Sequence, residues 1–226
     1  YSGDRRTIEI VYPHVRRYLL EVWQGRKDRR GLVVPKGEWV WLDWGKNQDG
    51  YRMANALYVI ALDAGAAMAE LLGRSAELPR WRRCRQEIAD RFIDALWSGS
   101  SFGDDDRANA LAVLAGLVRP ERAEGVRALL QRVHNASPYM ERYVEEALFV
   151  LGDARGALAR MRRRYRRMIA SRCTTLWEGW TRCSGTVNHA WAGGPLYLLS
   201  AYVAGVRPLE PGFKRFMVAP QLGGLK

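Results

Sequence analysis

Apolar positions recur every three to four residues along most of the chain. Ile8, Val11, Tyr12, Val15, Leu19, Val22 and Trp23 form one such stripe, predicting an amphipathic helix over residues 5–23 with Pro13 as an internal irregularity. A longer and almost wholly apolar segment predicts a helix over 50–72, which Gly73 can stop. The next helix, over 81–97, follows Pro79 and carries an arginine-rich face, the mark of an outer helix. The alternation then repeats. Residues 108–117 are mostly Ala, Leu and Val with almost no charge and read as buried on all sides, and Pro120 restarts the chain into a charged helix over 121–133. Ser137 as N-cap and Pro138 at the first helical position open a mostly apolar helix to Leu151. Asp153 caps an arginine-rich outer helix, and the last apolar helix covers 193–204.

The repeated unit is a charged outer helix paired with an apolar inner one, at a period typical of stacked supersecondary units. A loop holding carboxylates or aromatics precedes each of the four inner helices, at 39–49, 104–106, 134–141 and 177–189. Inner helices that alternate with antiparallel outer ones run parallel, so the four loops are expected to meet at one end. That end would gather acids, indoles and imidazoles beside helix N-termini, whose N–H groups lack intrahelical partners. The tail changes character: 205–212 is turn-rich and 213–220 has strand composition. A single strand cannot stand alone, so it is expected to begin a β-domain. The chain thus divides into 1–204, helical, and 205–226, a linker and the start of that β-domain.

With 226 residues, nearly half of them apolar, the chain can bury a sizeable core. Nine tryptophans and ten tyrosines exceed what such a core needs and favour a carbohydrate, an aromatic ligand or an interface. The net charge of +12 raises nucleic acid as a partner. Its distribution argues otherwise. The arginines cluster at 80–85 and 160–167, and in the second run they fall mainly opposite Ala157, Leu158, Met161, Tyr165, Met168 and Ile169, as a solvated helix face does. No zinc-finger spacing, RNA-binding signature or phosphate loop accompanies them, so no nucleic-acid partner is expected. Cys84, Cys173 and Cys183 fit neither a zinc site nor a disulfide framework and read as free buried thiols. The chain opens at Tyr1, without a signal peptide or an apolar run long enough to cross a membrane, and reads as a piece of a longer protein. Its compartment, cytoplasmic or periplasmic, stays open.

The densest chemistry lies between Thr174 and Trp191, where Trp177, Trp180 and Trp191 surround Glu178 and His189. Indole faces stack on the C–H faces of a pyranose, and a carboxylate between apolar walls and polar partners can have its pKa tuned for proton transfer. The competing reading makes the tryptophans core plugs and Glu178 a solvated turn residue. Asp43 lies between Trp41 and Trp44 and suits a sugar-hydroxyl contact or a loop cap. Asp106 suits the same contact or an N-cap. Glu141 in its first helical turn is explained equally by the helix dipole. His189 could hold a hydroxyl or a water, or bond to backbone.

Several segments, in order and at matching spacing, resemble bacterial α-L-rhamnosidases of glycoside hydrolase family 78. They are Trp41-Leu42-Asp43-Trp44-Gly45-Lys46-Asn47, Asp105-Asp106-Arg107-Ala108-Asn109, Ala136-Ser137-Pro138-Tyr139-Met140-Glu141, Thr174-Thr175-Leu176-Trp177-Glu178-Gly179-Trp180 and Asn188-His189-Ala190-Trp191. The resemblance implies an all-α fold, the later part of a six-hairpin (α/α)6 barrel with about eight helices, followed by the first strand of a C-terminal β-sandwich. It also implies inverting hydrolysis of terminal α-L-rhamnose. The family's general base, in its Thr-Thr-x-Trp-Glu segment, falls on Glu178. Its general acid sits in an acidic motif with no counterpart in these residues, so an upstream segment is expected to complete the barrel.

Inversion asks for two carboxyl groups about 6.5–9.5 Å apart, with water between. Asp43, Asp106 and Glu141 are the candidates within the chain to face Glu178. The expected site therefore comprises Glu178 as catalytic base, with Asp43, Trp39, Trp44, Asp106, Glu141, Trp177, Trp180, His189 and Trp191 binding a carbohydrate substrate. It needs no metal and no cofactor. Three alternatives remain: a six-hairpin hydrolase or lyase on another sugar such as a glucuronyl unit, signalled by an arginine-lined pocket; a carbohydrate-binding remnant; and an anion-binding helical repeat.

Overall fold

A computed structural model describes residues 3–35 and 41–225. Among them are eight α-helices: α1 (Arg6–Arg17), α2 (Gly50–Leu71), α3 (Leu78–Leu96), α4 (Asp106–Leu114), α5 (Ala123–Arg132), α6 (Pro138–Val150), α7 (Ala154–Ile169) and α8 (Gly194–Leu198). A π-turn extends α1 through Tyr18–Val22 and another extends α8 through Leu199–Val203, so the two stripes read at 5–23 and 193–204 are each one continuous rod.

The alternation predicts the layers. Helices α2, α4, α6 and α8 stand side by side in that order, while α1 and α3 pack on α2, α5 on α4 and α7 on α6. Each inner helix is apolar on most sides because it is enclosed: Met53, Ala56, Val59 and Leu62 of α2, Ala108 to Ala112 of α4 and Val144, Ala147 and Leu148 of α6 are all buried. By length and apolarity α2 also qualifies as a membrane-crossing helix, which the sequence reading had ruled out. Its buried residues and the helices packed around it give it instead the setting of a core helix. The contact of α2 with α3 is tight at Gly65, where a β-carbon would overlap the ring of Trp81. Trp81 in turn donates its indole N–H to Tyr12 at 3.1 Å, tying α3 to α1.

The caps follow the short polar residues ahead of the helices. Asp49 accepts from the backbone N–H of Arg52 at 3.0 Å, and Asp153 from Gly156 at 2.9 Å. At α4 the cap is Asp105, which accepts from the N–H of Arg107 at 3.0 Å; Asp106 is the first helical residue. Ser137 occupies the N-cap position of α6 but makes no cap, because its hydroxyl goes to Asp43.

Two expectations change at the surface. The strand Phe216–Val218 (β2) pairs antiparallel with Val206–Pro208 (β1), in the register Val206 to Val218 and Pro208 to Phe216, so the segment read as a turn-rich connection supplies its partner. The three cysteines are free, as expected. None is buried: Cys84 and Cys173 are half-buried and Cys183 is exposed.

Candidate active site

The four loops that precede the inner helices do converge, and their hydrogen bonds define how. Asp43, before α2, accepts from the Arg107 guanidinium at 2.9 Å and from the backbone N–H of Ser137 at 3.1 Å, joining the loops ahead of α2 and α6 to α4. Arg107 also donates to Asp105 at 2.8 Å and to the Lys46 carbonyl at 2.8 Å, while Asp105 accepts from the N–H of Asp49 at 2.9 Å. Gly45 makes this possible: a β-carbon there would overlap both Arg107 and the Asn135 carbonyl. The fourth loop docks through Trp180, whose indole N–H donates to the Ala136 carbonyl at 2.8 Å and whose face receives Arg164 at 4.0 Å.

Two buried ionic clusters form the floor. In the first, Arg107 and the Asp43 carboxylate are both fully enclosed. In the second, Arg160 bonds Asp106 at 2.7 Å and Glu141 at 2.5 Å, and Arg164 reaches Glu141 at 3.2 Å. Burial pushes the Asp106 carboxyl above its ordinary 3.8, against the pull of Arg160. Burial also works against the Arg160 charge, but Glu141 and Asp106 outweigh it and raise its pKa. Two arginines match two carboxylates, which leaves no cation for the neighbouring Glu145. That side chain is wholly buried without a hydrogen-bond partner among the described residues, and burial, reinforced by Glu141, holds its pKa well above 4.5.

These clusters correct three of the expected sugar contacts. Asp43, Asp106 and Glu141 spend their oxygens on arginine and backbone donors and lie enclosed beneath the loops. Arg160 is the larger correction, since the run 160–167 was read as mainly solvated and Arg160 is 1 % exposed. A signal was present: Arg160 and Arg164 lie three and seven residues after Ala157, on the same helical stripe as Met161, Tyr165 and Met168. Trp177 is likewise buried in the core and is no wall of an open subsite, and Trp180 is committed to Ala136 and Arg164.

What remains accessible is an aromatic stack beside Glu178. Trp41 and Trp191 stack at 5.5 Å, with Tyr139 packed against both, and His189 lies over Trp191 at 4.0 Å. Trp44, 60 % exposed, stands edge-on to Trp41. Trp39 lies outside the described residues. Trp41 and Tyr139, which were not among the expected binding residues, form the centre of this stack. Their loops are adjacent only in three dimensions.

Glu178 is half-buried on its loop. Its Oε2 accepts the backbone N–H of Thr186 at 2.8 Å and the Thr186 hydroxyl at 3.2 Å, while Oε1 makes no hydrogen bond among the described residues. The Thr186 N–H chiefly, then its hydroxyl and the nearby His189, hold the carboxyl below its ordinary 4.5. Trp191 reaches back to the Glu178 carbonyl at 3.4 Å. The Nδ1 atom of His189 is buried and makes no hydrogen bond among the described residues. No group of three or more His, Cys, Asp or Glu side chains able to hold a metal occurs among the described residues.

Paired inner and outer helices, with a carboxylate and an aromatic stack at the inner N-termini, are the architecture of six-hairpin glycosidase folds, of which this chain holds four hairpins. Residues 1–203 match the bacterial α-L-rhamnosidase six-hairpin glycosidase domain, and the chain belongs to that family. Solved structures agree in fold. The family 78 rhamnosidase of Bacillus sp. GL1 superposes with a TM-score of 0.85 at 23% identity, covering 99% of this chain and 27% of that one. The α-L-rhamnosidase of Dictyoglumus thermophilum gives 0.83 at 21%, covering 97% and 28%. The Streptomyces avermitilis α-L-rhamnosidase, complexed with L-rhamnose, gives 0.76 at 20%, covering 97% and 23%. The chain thus spans about a quarter of the length of these relatives. No curated protein matches it.

Proposed function

We propose that this chain carries the general base of an inverting glycoside hydrolase that removes terminal α-L-rhamnose, and that Glu178 is that base. The observation that carries the reading is the state of Glu178: ionised, anchored through one oxygen and free at the other, beside the stack of Trp41, Trp191 and His189. A carboxylate held in this way can take a proton from water without losing its position. Trp44, which is exposed, offers an apolar surface to the ring.

The four hairpins described here supply the base side of the cleft. The acid is assigned to the remaining hairpins of the barrel, encoded upstream; the family's six-hairpin description and the quarter-length coverage of its relatives support this. The division of the chain belongs to the same reading, since the family match ends at 203 and the β1–β2 hairpin follows at once. Residues 205–226 are accordingly assigned to the start of a C-terminal β-domain.

The test is release of p-nitrophenol from its α-L-rhamnoside by the barrel-complete protein, with the first-formed anomer followed by NMR. Inversion yields β-L-rhamnose, and Glu178→Gln is expected to lose turnover while retaining L-rhamnose binding. Retained turnover in that variant, or initial release of the α-anomer, would overturn the assignment.

A further inference from the structure

Beside the stack, residues of α6, of α8 and of the turn leading into α8 line an open slot of about 440 Å³, with Tyr139, Arg142, Tyr143, Trp191, Gly194 and Tyr197 on its walls. Three tyrosines and a tryptophan make its walls, and the one charged side chain in them is Arg142. The guanidinium lies over the rings of Tyr143 and Tyr197 at 4.9 and 4.6 Å, which fixes its plane. Gly194 lets α8 approach Arg142 this closely, since a β-carbon there would stand 2.6 Å from that of Arg142.

The charge of Arg142 is only partly answered within the chain. Its one ion pair among the described residues, with Glu146 one helical turn on, is long at 3.4 Å. Glu146 also serves elsewhere, for its Oε1 accepts the hydroxyls of Tyr197 at 3.1 Å and Tyr202 at 3.0 Å. The Nε–H of Arg142 is buried and has no acceptor among the described residues. The exposed edge of a guanidinium, here on a side chain 37 % accessible, binds a carboxylate through charge-assisted hydrogen bonds that a neutral hydroxyl does not match. Aromatic walls around that edge suit the C–H faces of a pyranose.

We propose that this slot is a subsite for a carboxylate-bearing sugar, a uronosyl unit, with Arg142 as the group that recognises its acid. The slot shares Trp191 with the Glu178 loop, so it would hold the sugar next to the one hydrolysed. The inference rests on the glycosidase reading above and narrows its substrate to an acidic glycan. A sugar phosphate is the other source of such an anion. It would bring a second negative charge toward Glu146, whereas a uronate brings one.

The experiment is calorimetric titration of the protein with methyl β-D-glucuronide, methyl β-D-glucoside and methyl α-L-rhamnoside, repeated on Arg142→Met and Arg142→Lys. The wild type is expected to bind the glucuronide about tenfold or more tightly than the glucoside, a preference that Arg142→Met abolishes and Arg142→Lys keeps in part. Equal binding of glucuronide and glucoside, or a preference unchanged in Arg142→Met, would overturn the subsite while leaving the rhamnoside reading to stand on its own titration. A preference that depends on Arg142 without any rhamnoside binding would keep the subsite and sink the rhamnoside reading. Binding of none of the three would overturn both.

Discussion

Asp43 and Glu178 are loop carboxylates flanked by tryptophans in sequence, yet their surroundings set them to different work. Asp43 is enclosed by Arg107 and Ser137, and Glu178 keeps one oxygen open. Because the Thr186 contacts lower the Glu178 pKa, the base form is complete above 4.5 and is lost only as pH falls through the lowered value. The acid limb of a pH–rate profile is therefore expected below 4.5, and Thr186→Val, which removes the hydroxyl but keeps the N–H, should move it upward. An unmoved limb would show that another group sets it. At Arg160 the expected effect is on stability. Arg160→Met strands Asp106 as a buried charge and leaves Glu141 with Arg164 alone, and should cost about 3–5 kcal/mol in urea denaturation.

Between elements, the contacts turn on single residues that helical periodicity does not distinguish. Gly65 reads as one more small residue on an apolar helix, but it seats Trp81 between α2 and α3. Gly65→Leu should lower stability by about 1–3 kcal/mol by forcing the two helices apart, measurable as a lower urea midpoint. The α6–α7 contact carries a pH response through Glu145. In the folded chain Glu145 keeps its proton above 4.5, among Glu141, Arg160, Arg164 and Tyr165, while in the unfolded chain it has lost it. The unfolded state then binds fewer protons, so stability is full below 4.5 and falls as pH rises from there toward the raised folded value. Glu145→Gln should flatten that slope, and a series of melts between pH 4 and 9 would read it.

Across the whole molecule, the two ends of the helical layer carry exposed apolar side chains. Ile10, 72 % exposed, marks the α1 end, and Leu196, 75 % exposed, marks α8. Apolar surface of this kind favours association. The chain as given is expected to self-associate with rising concentration in sedimentation velocity, and Leu196→Glu should weaken that association. The surplus positive charge does less than its total implies, because Arg107, Arg160 and Arg164 are spent on buried or half-buried carboxylates and carbonyls.

The order of helices, their inner and outer layers and the convergence of four loops were legible in the chain because each follows from local periodicity and capping. Helical stripes repeat every few residues, so 5–23 and 50–72 announce themselves without knowledge of what they touch. The anchoring of Glu178 is local to one loop, through Thr186 and Trp191, but the aromatic stack beside it draws Trp41 and Tyr139 from two others. The roles of Asp43, Asp106, Glu141 and Trp177 were not legible, since a carboxylate or an indole looks the same in sequence whether it faces a cleft or a buried partner. Only the tertiary structure brings Arg107 to Asp43 across 64 positions and Arg160 to Asp106 across 54. It alone sets Trp41 against Trp191 and opens the slot beside Arg142. Those pairings depend on which loops share one end of the bundle, and burial then decides which charges must be matched and which stay free for a ligand.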